Sequence, residues 1–166
     1  MTRRRATATI AIRRARRLGA DSEAQRLMAI VGFGPLTASA AIATVGDARQ
    51  FKNGRQFAAW LGAVPKQASS GGKTRLGHIT KQGNDYLRTL LFQGARSAVM
   101  TAHRRNDRLS RWIVQLQARI GLYRTLVAVA NKHARILWAI LAKGERFDPS
   151  YVPNSHAVID HCTTTA

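Results

Sequence analysis

The sequence predicts a mainly α-helical domain, made of a helix-hairpin-helix element, a serine-bearing loop or short hairpin, and a C-terminal helical bundle. Apolar residues recur at helix spacing through most of the chain. Glycine and proline punctuate that pattern at Gly32, Gly34, Pro35, Gly62, Pro65, Gly121 and Gly144. The periodicity then fails over residues 66–83, which are rich in cations, hydroxyls and glycine.

Residues 1–24 are basic and short of large apolar side chains, and read as an arm or the remnant of a coiled coil. Asp21 or Ser22 can cap a first helix carrying Leu27, Ile30 and Val31. Gly32-Phe33-Gly34 stops it. Pro35 suits a first helical position, and the alanine-rich stretch 36–45 forms a second helix ending at Gly46. Asn53 introduces a third helix over 54–61, ended by Gly62 with Pro65 following. Asn84 or Asp85 starts a strong helix through residue 100 with Leu87, Leu90, Leu91, Ala95 and Ala98 facing inward. Two more helices, 106–120 and 122–143, are divided at Gly121. The last has a core stripe of Leu122, Leu126, Val129, Ile136, Leu137 and Ile140, with Arg124, Asn131 and Arg135 on its other side. The folded unit spans 25–147, and 148–166 form a loosely held tail.

With 166 residues, 45% of them hydrophobic, the chain can bury a core. Its 27 Lys and Arg face only 8 Asp and Glu, a net charge of +19 that calls for a polyanionic partner, nucleic acid first. Arg124, Asn131, Lys132, His133 and Arg135 interrupt the apolar segment 122–141, so it is not an ordinary transmembrane helix. No apolar signal core follows the basic start. A single cysteine, Cys162, offers no disulfide framework and fits a reducing, cytoplasmic setting.

Pro65-Lys66-Gln67-Ala68-Ser69-Ser70-Gly71-Gly72-Lys73-Thr74-Arg75 combines a hydroxyl pair, a flexible backbone and phosphate-binding charge. Lys73, Arg75, His78 and Lys81 can neutralise phosphate oxygens. Local pattern alone leaves two readings open, a nucleophile or ordinary Ser-Gly turn chemistry. The run Val31-Gly32-Phe33-Gly34-Pro35-Leu36-Thr37-Ala38 has helix-hairpin-helix form, aiming free amides and a positive helix end at phosphate without reading bases. A tight turn is the plainer alternative. The eight acids are scattered and supply no paired carboxylates for a two-metal site. His78, His103, His133, His156 and His161 have no metal spacing; His133 reads as a satisfied core residue. Trp60, Trp112 and Trp138 read as core, with stacking on a base as the alternative for an exposed one.

Taken in order, Gly32-Phe33-Gly34-Pro35-Leu36-Thr37-Ala38, Gly46-Asp47, Phe51, Leu61-Gly62-Ala63-Val64-Pro65, Ser69-Ser70-Gly71-Gly72-Lys73, Gly77-His78-Ile79, Gly83-Asn84 and Leu87-Arg88 resemble the C-terminal transposase domain of the DEDD, bridge-RNA-guided insertion-sequence transposases. The resemblance implies DNA as substrate, a guide RNA partner and a homo-oligomer in the full-length form. It also implies a nucleophilic serine forming a covalent phosphoserine link, carried over to Ser70 with Ser69 as the near alternative. The expected nucleic-acid contacts are Gly32, Gly34, Thr37, Lys73, Arg75, His78, Lys81, Asn84 and Arg88. In that family Mg²⁺ sits on an acidic tetrad in a separate resolvase-like domain. The tetrad has no counterpart here, so the expectation is a chain that binds no metal and is inactive alone: a truncated frame, a decayed element or one partner of a split enzyme. The rival reading is a non-catalytic helix-hairpin-helix protein that binds nucleic acid.

Overall fold

The computed structural model describes residues 22–70 and 73–148; side-chain surroundings are not described for Ser22 or for 68–76. The basic arm, Gly71, Gly72 and the tail from residue 149, with Cys162, His156 and His161, lie outside the described residues.

Helices α1 (Ser22–Met28) and α2 (Pro35–Val45) are joined by a turn. Pro35 opens α2 where no amide donor is needed, and the Gly46 amide closes it on the Ile42 carbonyl. Ala38, Ala40 and Ala41 are buried, so α2 lies close against its neighbours. Helix α3 (Gly54–Trp60) follows a 3₁₀ turn (Ala48–Gln50); Asn53 caps α3 by accepting from the Arg55 and Gln56 amides, both at 3.0 Å. Helix α4 (Asp85–Thr101) is capped by Asn84, α5 (Arg108–Ile120) by Asp107, and α6 (Leu122–Lys143) begins after Gly121. Gly144, at φ 70°, ends α6 with its amide on the Ile140 carbonyl.

These helices enclose two adjoining cores. One gathers Leu27, Phe57, Leu61, Leu87 and Leu137 from α1, the end of α3, α4 and α6. The other gathers Ala98, Val99, Ile113 and Val129 from α4, α5 and α6. Helix α6 contributes to both, and α4 runs alongside it. Each fully buried leucine or phenylalanine contributes roughly 1.5–3 kcal/mol.

The mainly α-helical class agrees with this architecture, but α1 ends at Met28, leaving Ile30 and Val31 in the turn that follows, and Leu122, expected in the core stripe, is 40% exposed at the start of α6. Helix α5 starts later than the pattern suggests, because Ala102–Arg104 form a 3₁₀ turn and Asp107 then restarts the helix. Residues 66–83, open between loop and hairpin, contain the antiparallel pair β1 (Pro65–Ser70) and β2 (Lys73–Ile79). Two tryptophan and histidine readings need correction. Trp60 is 38% exposed, tilted against Phe51 and Phe57. His133 is fully buried, as expected, but neither ring nitrogen has a hydrogen-bond partner.

Candidate nucleic-acid interface

The β1–β2 hairpin springs from the end of α3, and side chains of distant helices fix its root. Arg88 Nη1 donates to the Leu61 carbonyl at 3.2 Å, while its other terminal nitrogen pairs with Asp85. Asn131 Nδ2 donates to the Ala63 carbonyl, also at 3.2 Å. Backbone bonds from Thr80 to Val64 and from Lys81 to Gly62 close the root where β2 leaves. The returning chain crosses very near: a Cβ on Gly83, at φ 129°, would lie 2.0 Å from the Trp60 carbonyl oxygen. Only glycine permits that approach.

Beyond the root, register orders the serines. Ser70 pairs with Lys73, Ser69 with Thr74 and Ala68 with Arg75, after an irregularity between Pro65 and Gln67. Successive positions of a strand alternate between its faces, so positions 70 and 73 belong to one face and 69 and 74 to the other. Two glycines between the paired ends suit a two-residue hairpin connection.

The remaining expected contacts divide. His78 within β2 and Lys81 just after it are exposed, whereas Asn84 spends its side-chain oxygen on the Leu87 amide at 2.8 Å. Arg88 is only 7% exposed, and the bonds just described occupy its guanidinium. The structure therefore makes Asn84 a helix cap and Arg88 a brace for the hairpin root. Arg88 read as a surface cation in sequence because its acceptor, the Leu61 carbonyl, lies 27 residues away.

Gly32, Gly34 and Thr37 lie elsewhere, Thr37 in the first turn of α2, and Gly32 and Gly34 in the turn between α1 and α2. That turn packs against the far half of α4. A Cβ on Gly32, at φ 89°, would fall 2.1 Å from the Gly94 carbonyl oxygen. Gly34 has extended backbone at φ −107° and open space around its missing Cβ, and Thr37 is buried. Thus Gly32 serves close packing, Gly34 leaves the start of α2 uncovered, and the Thr37 side chain lies in the interior. An open groove of about 500 Å³ runs along the turn, bordered opposite by Ser97, Thr101, Arg104 and Arg105. Those four were missed in sequence; the cue was the basic run after α4. Arg88 and Ser97 are separated by about 14 Å along α4 at the usual helical rise, so this groove and the hairpin root are distinct places.

Acidic groups are already engaged. Asp107 has its carboxyl held below the ordinary range: burial pushes it up, but bonds from Ser110 and Arg105 outweigh that. Among the described residues no three His, Cys, Asp or Glu come together in a way that could hold a metal ion. No described helix is long and apolar enough to cross a membrane.

Against this geometry, residues 24–110 match the model for the transposase IS116/IS110/IS902 family. The chain belongs to that family. The match takes in the α1–α2 turn, the hairpin, all of α4 and the start of α5. Similar proteins include the probable family 20 transposase of Pseudomonas aeruginosa, 53% identical over 129 residues, which are 78% of this chain and 38% of that protein. The transposase for insertion sequence element IS1111A of Coxiella burnetii is 44% identical over 77% of this chain and 35% of its own length. That for IS1328 of Yersinia enterocolitica is 38% identical over 78% and 39%. The chain thus spans between a third and two fifths of these IS116/IS110/IS902-type relatives.

Proposed function

We propose that this chain acts in DNA transposition, binding DNA and presenting Ser70 as the nucleophile toward a DNA phosphodiester. The observation that carries the reading is the pairing of Ser70 with Lys73 at the end of a hairpin whose root Arg88 and Asn131 brace. A serine needs fixed placement and nearby positive charge to meet the charge that builds on phosphoryl oxygens. In the step proposed, the Ser70 oxygen bonds to phosphorus and the P–O bond to one deoxyribose breaks. The serine proton goes to a base, and the departing deoxyribose oxygen takes up a proton to become a hydroxyl. Lys73 and Arg75 are the cations nearest in register. Mg²⁺ belongs, in this reading, to a resolvase-like domain on another segment or chain, and a guide RNA and a second copy complete the assembly.

The groove beside the α1–α2 turn favours a second component, non-catalytic holding of the nucleic-acid backbone by Arg104 and Arg105. If that were the whole function, Ser70 would have no task.

Labelled DNA and Mg²⁺ are incubated with this chain, a matching resolvase-like domain and guide RNA, then run on a denaturing gel. Wild type is expected to form a covalent adduct that Ser70→Ala loses and Ser69→Ala retains. Loss only in Ser69→Ala moves the nucleophile by one position. An adduct surviving both changes refutes the serine mechanism, and cleavage by this chain alone refutes the placement of the metal elsewhere.

A further inference from the structure

The Lys132 ammonium lies 4.5 Å from the centre of the Trp112 ring, joining α6 to α5. Its neighbours tie it to the serine-bearing hairpin. Asn131, one residue before, holds the Ala63 carbonyl at the hairpin root. Arg135, one turn later and exposed, has its backbone against Gly54 at the start of α3. Arg108, exposed in the first turn of α5, stands one helical turn before Trp112 on the same helix and so on the side that Lys132 covers. Burial lowers the Lys132 pKa, and the charges of Arg135 and Arg108 lower it further, so both guanidinium groups act on the ammonium.

Among the described residues no ion pair offsets them. The ion pairs among the described residues join Arg49 to Asp47, Arg88 to Asp85, Arg105 to Asp107 and Lys143 to Glu145, and none reaches Arg108, Lys132 or Arg135. Three neighbouring cations, one half-buried, repel, and the whole chain, with a net charge of +19, has few acids to set against them. A polyanion removes that cost, and two guanidinium forks flanking an ammonium suit phosphate oxygens. The Trp112 face is covered by Lys132, so it is closed to a stacking base and the contact is with backbone.

We infer that Arg108, Lys132 and Arg135 form a phosphate-binding site for the backbone of a nucleic acid lying across α5 and α6 beside the hairpin root. This inference rests on the nucleic-acid-binding part of the proposed function and is independent of the serine chemistry. Two phosphates on the guanidinium groups and one near the ammonium would fix where the strand enters relative to β1–β2.

The test is fluorescence anisotropy with a labelled DNA duplex and an RNA duplex of the same sequence, over a series of salt concentrations. The full chain carries Ser70→Ala throughout, so that strand cleavage plays no part. Arg108→Gln/Arg135→Gln is compared with Arg119→Gln/Arg124→Gln, which removes the same charge from exposed positions at the α5–α6 junction. Circular dichroism checks that both fold. The site pair is expected to flatten the slope of log affinity against log salt by about 1.8, at roughly 0.9 per phosphate contact, and the control pair by far less. Loss on both duplexes, or on one alone, supports the site and names its partner. Equal losses for the two pairs overturn it, leaving only the effect of net charge.

Discussion

His133 meets Phe33 edge-on, with ring centroids 5.3 Å apart and planes at 88°. This contact docks the turn between α1 and α2 onto the middle of α6, and it does so with a histidine that gains nothing from being charged. Burial, and secondarily the charge of Lys132, push its pKa down from 6.5 to about 4. The unfolded chain therefore binds a proton more readily than the native one between those values. Stability is complete above pH 6.5 and falls as pH drops toward 4, by on the order of 3 kcal/mol in all. Denaturant midpoints at pH 7, 5.5 and 4 should show the decline. His133→Leu should remove most of that slope without loss at pH 7, since it also removes two unpartnered nitrogens.

The glycines of the same turn should respond oppositely. Gly32→Ala places a methyl on the Gly94 carbonyl at a backbone angle that side chains rarely adopt, and should cost about 1–3 kcal/mol. Gly34→Val meets open space, and β-branched residues accept extended backbone, so its melting temperature should stay near wild type. If the start of α2 approaches phosphate, Gly34→Val should nevertheless weaken DNA binding in the anisotropy titration.

Arg88→Met separates bracing from phosphate binding. Losing the bonds to Leu61 and Asp85 leaves a buried carbonyl unpaired, for a cost of about 1–3 kcal/mol in thermal or chemical melts. The salt slope of DNA binding should not change. A flattened slope with unaltered stability would return Arg88 to the interface.

Asp107 caps α5 through Ser110, and Asp107→Ala should cost about 0.5–2 kcal/mol. Its carboxyl pKa is lowered in the fold, so the carboxylate's contribution holds above the ordinary aspartate value and is lost as pH falls through the folded one. The alanine variant should lose that part of the acid dependence.

Much of the helical frame was legible because local rules agreed with tertiary packing. The stripe from Leu126 to Ile140, the caps at Asn53 and Asn84, and the stop at Gly144 each appear within a few residues of sequence. The hairpin was less so: residues 66–83 carry no period-2 apolar pattern, and their pairing depends on a root held by Arg88 and Asn131. Arg88 and Thr37 read as exposed polar residues until the fold put them inside. Trp112 and Lys132 meet, and bring Arg108 to that side, only because α5 folds back along α6. No local signal marks that cluster, beyond the Lys132 and Arg135 spacing of one helical turn.

The register of β1 and β2 also limits how the hairpin can change in length. Adding one residue to each arm between the fixed root and the tip would extend it while keeping Ser70 opposite Lys73. A single insertion or deletion in one arm cannot be absorbed in that way, because it slides one strand past the other by an odd step and exchanges positions 69 and 70 between faces. Functional descendants should therefore gain or lose residues here in matched pairs, whereas the surface loops between helices are free to drift by ones.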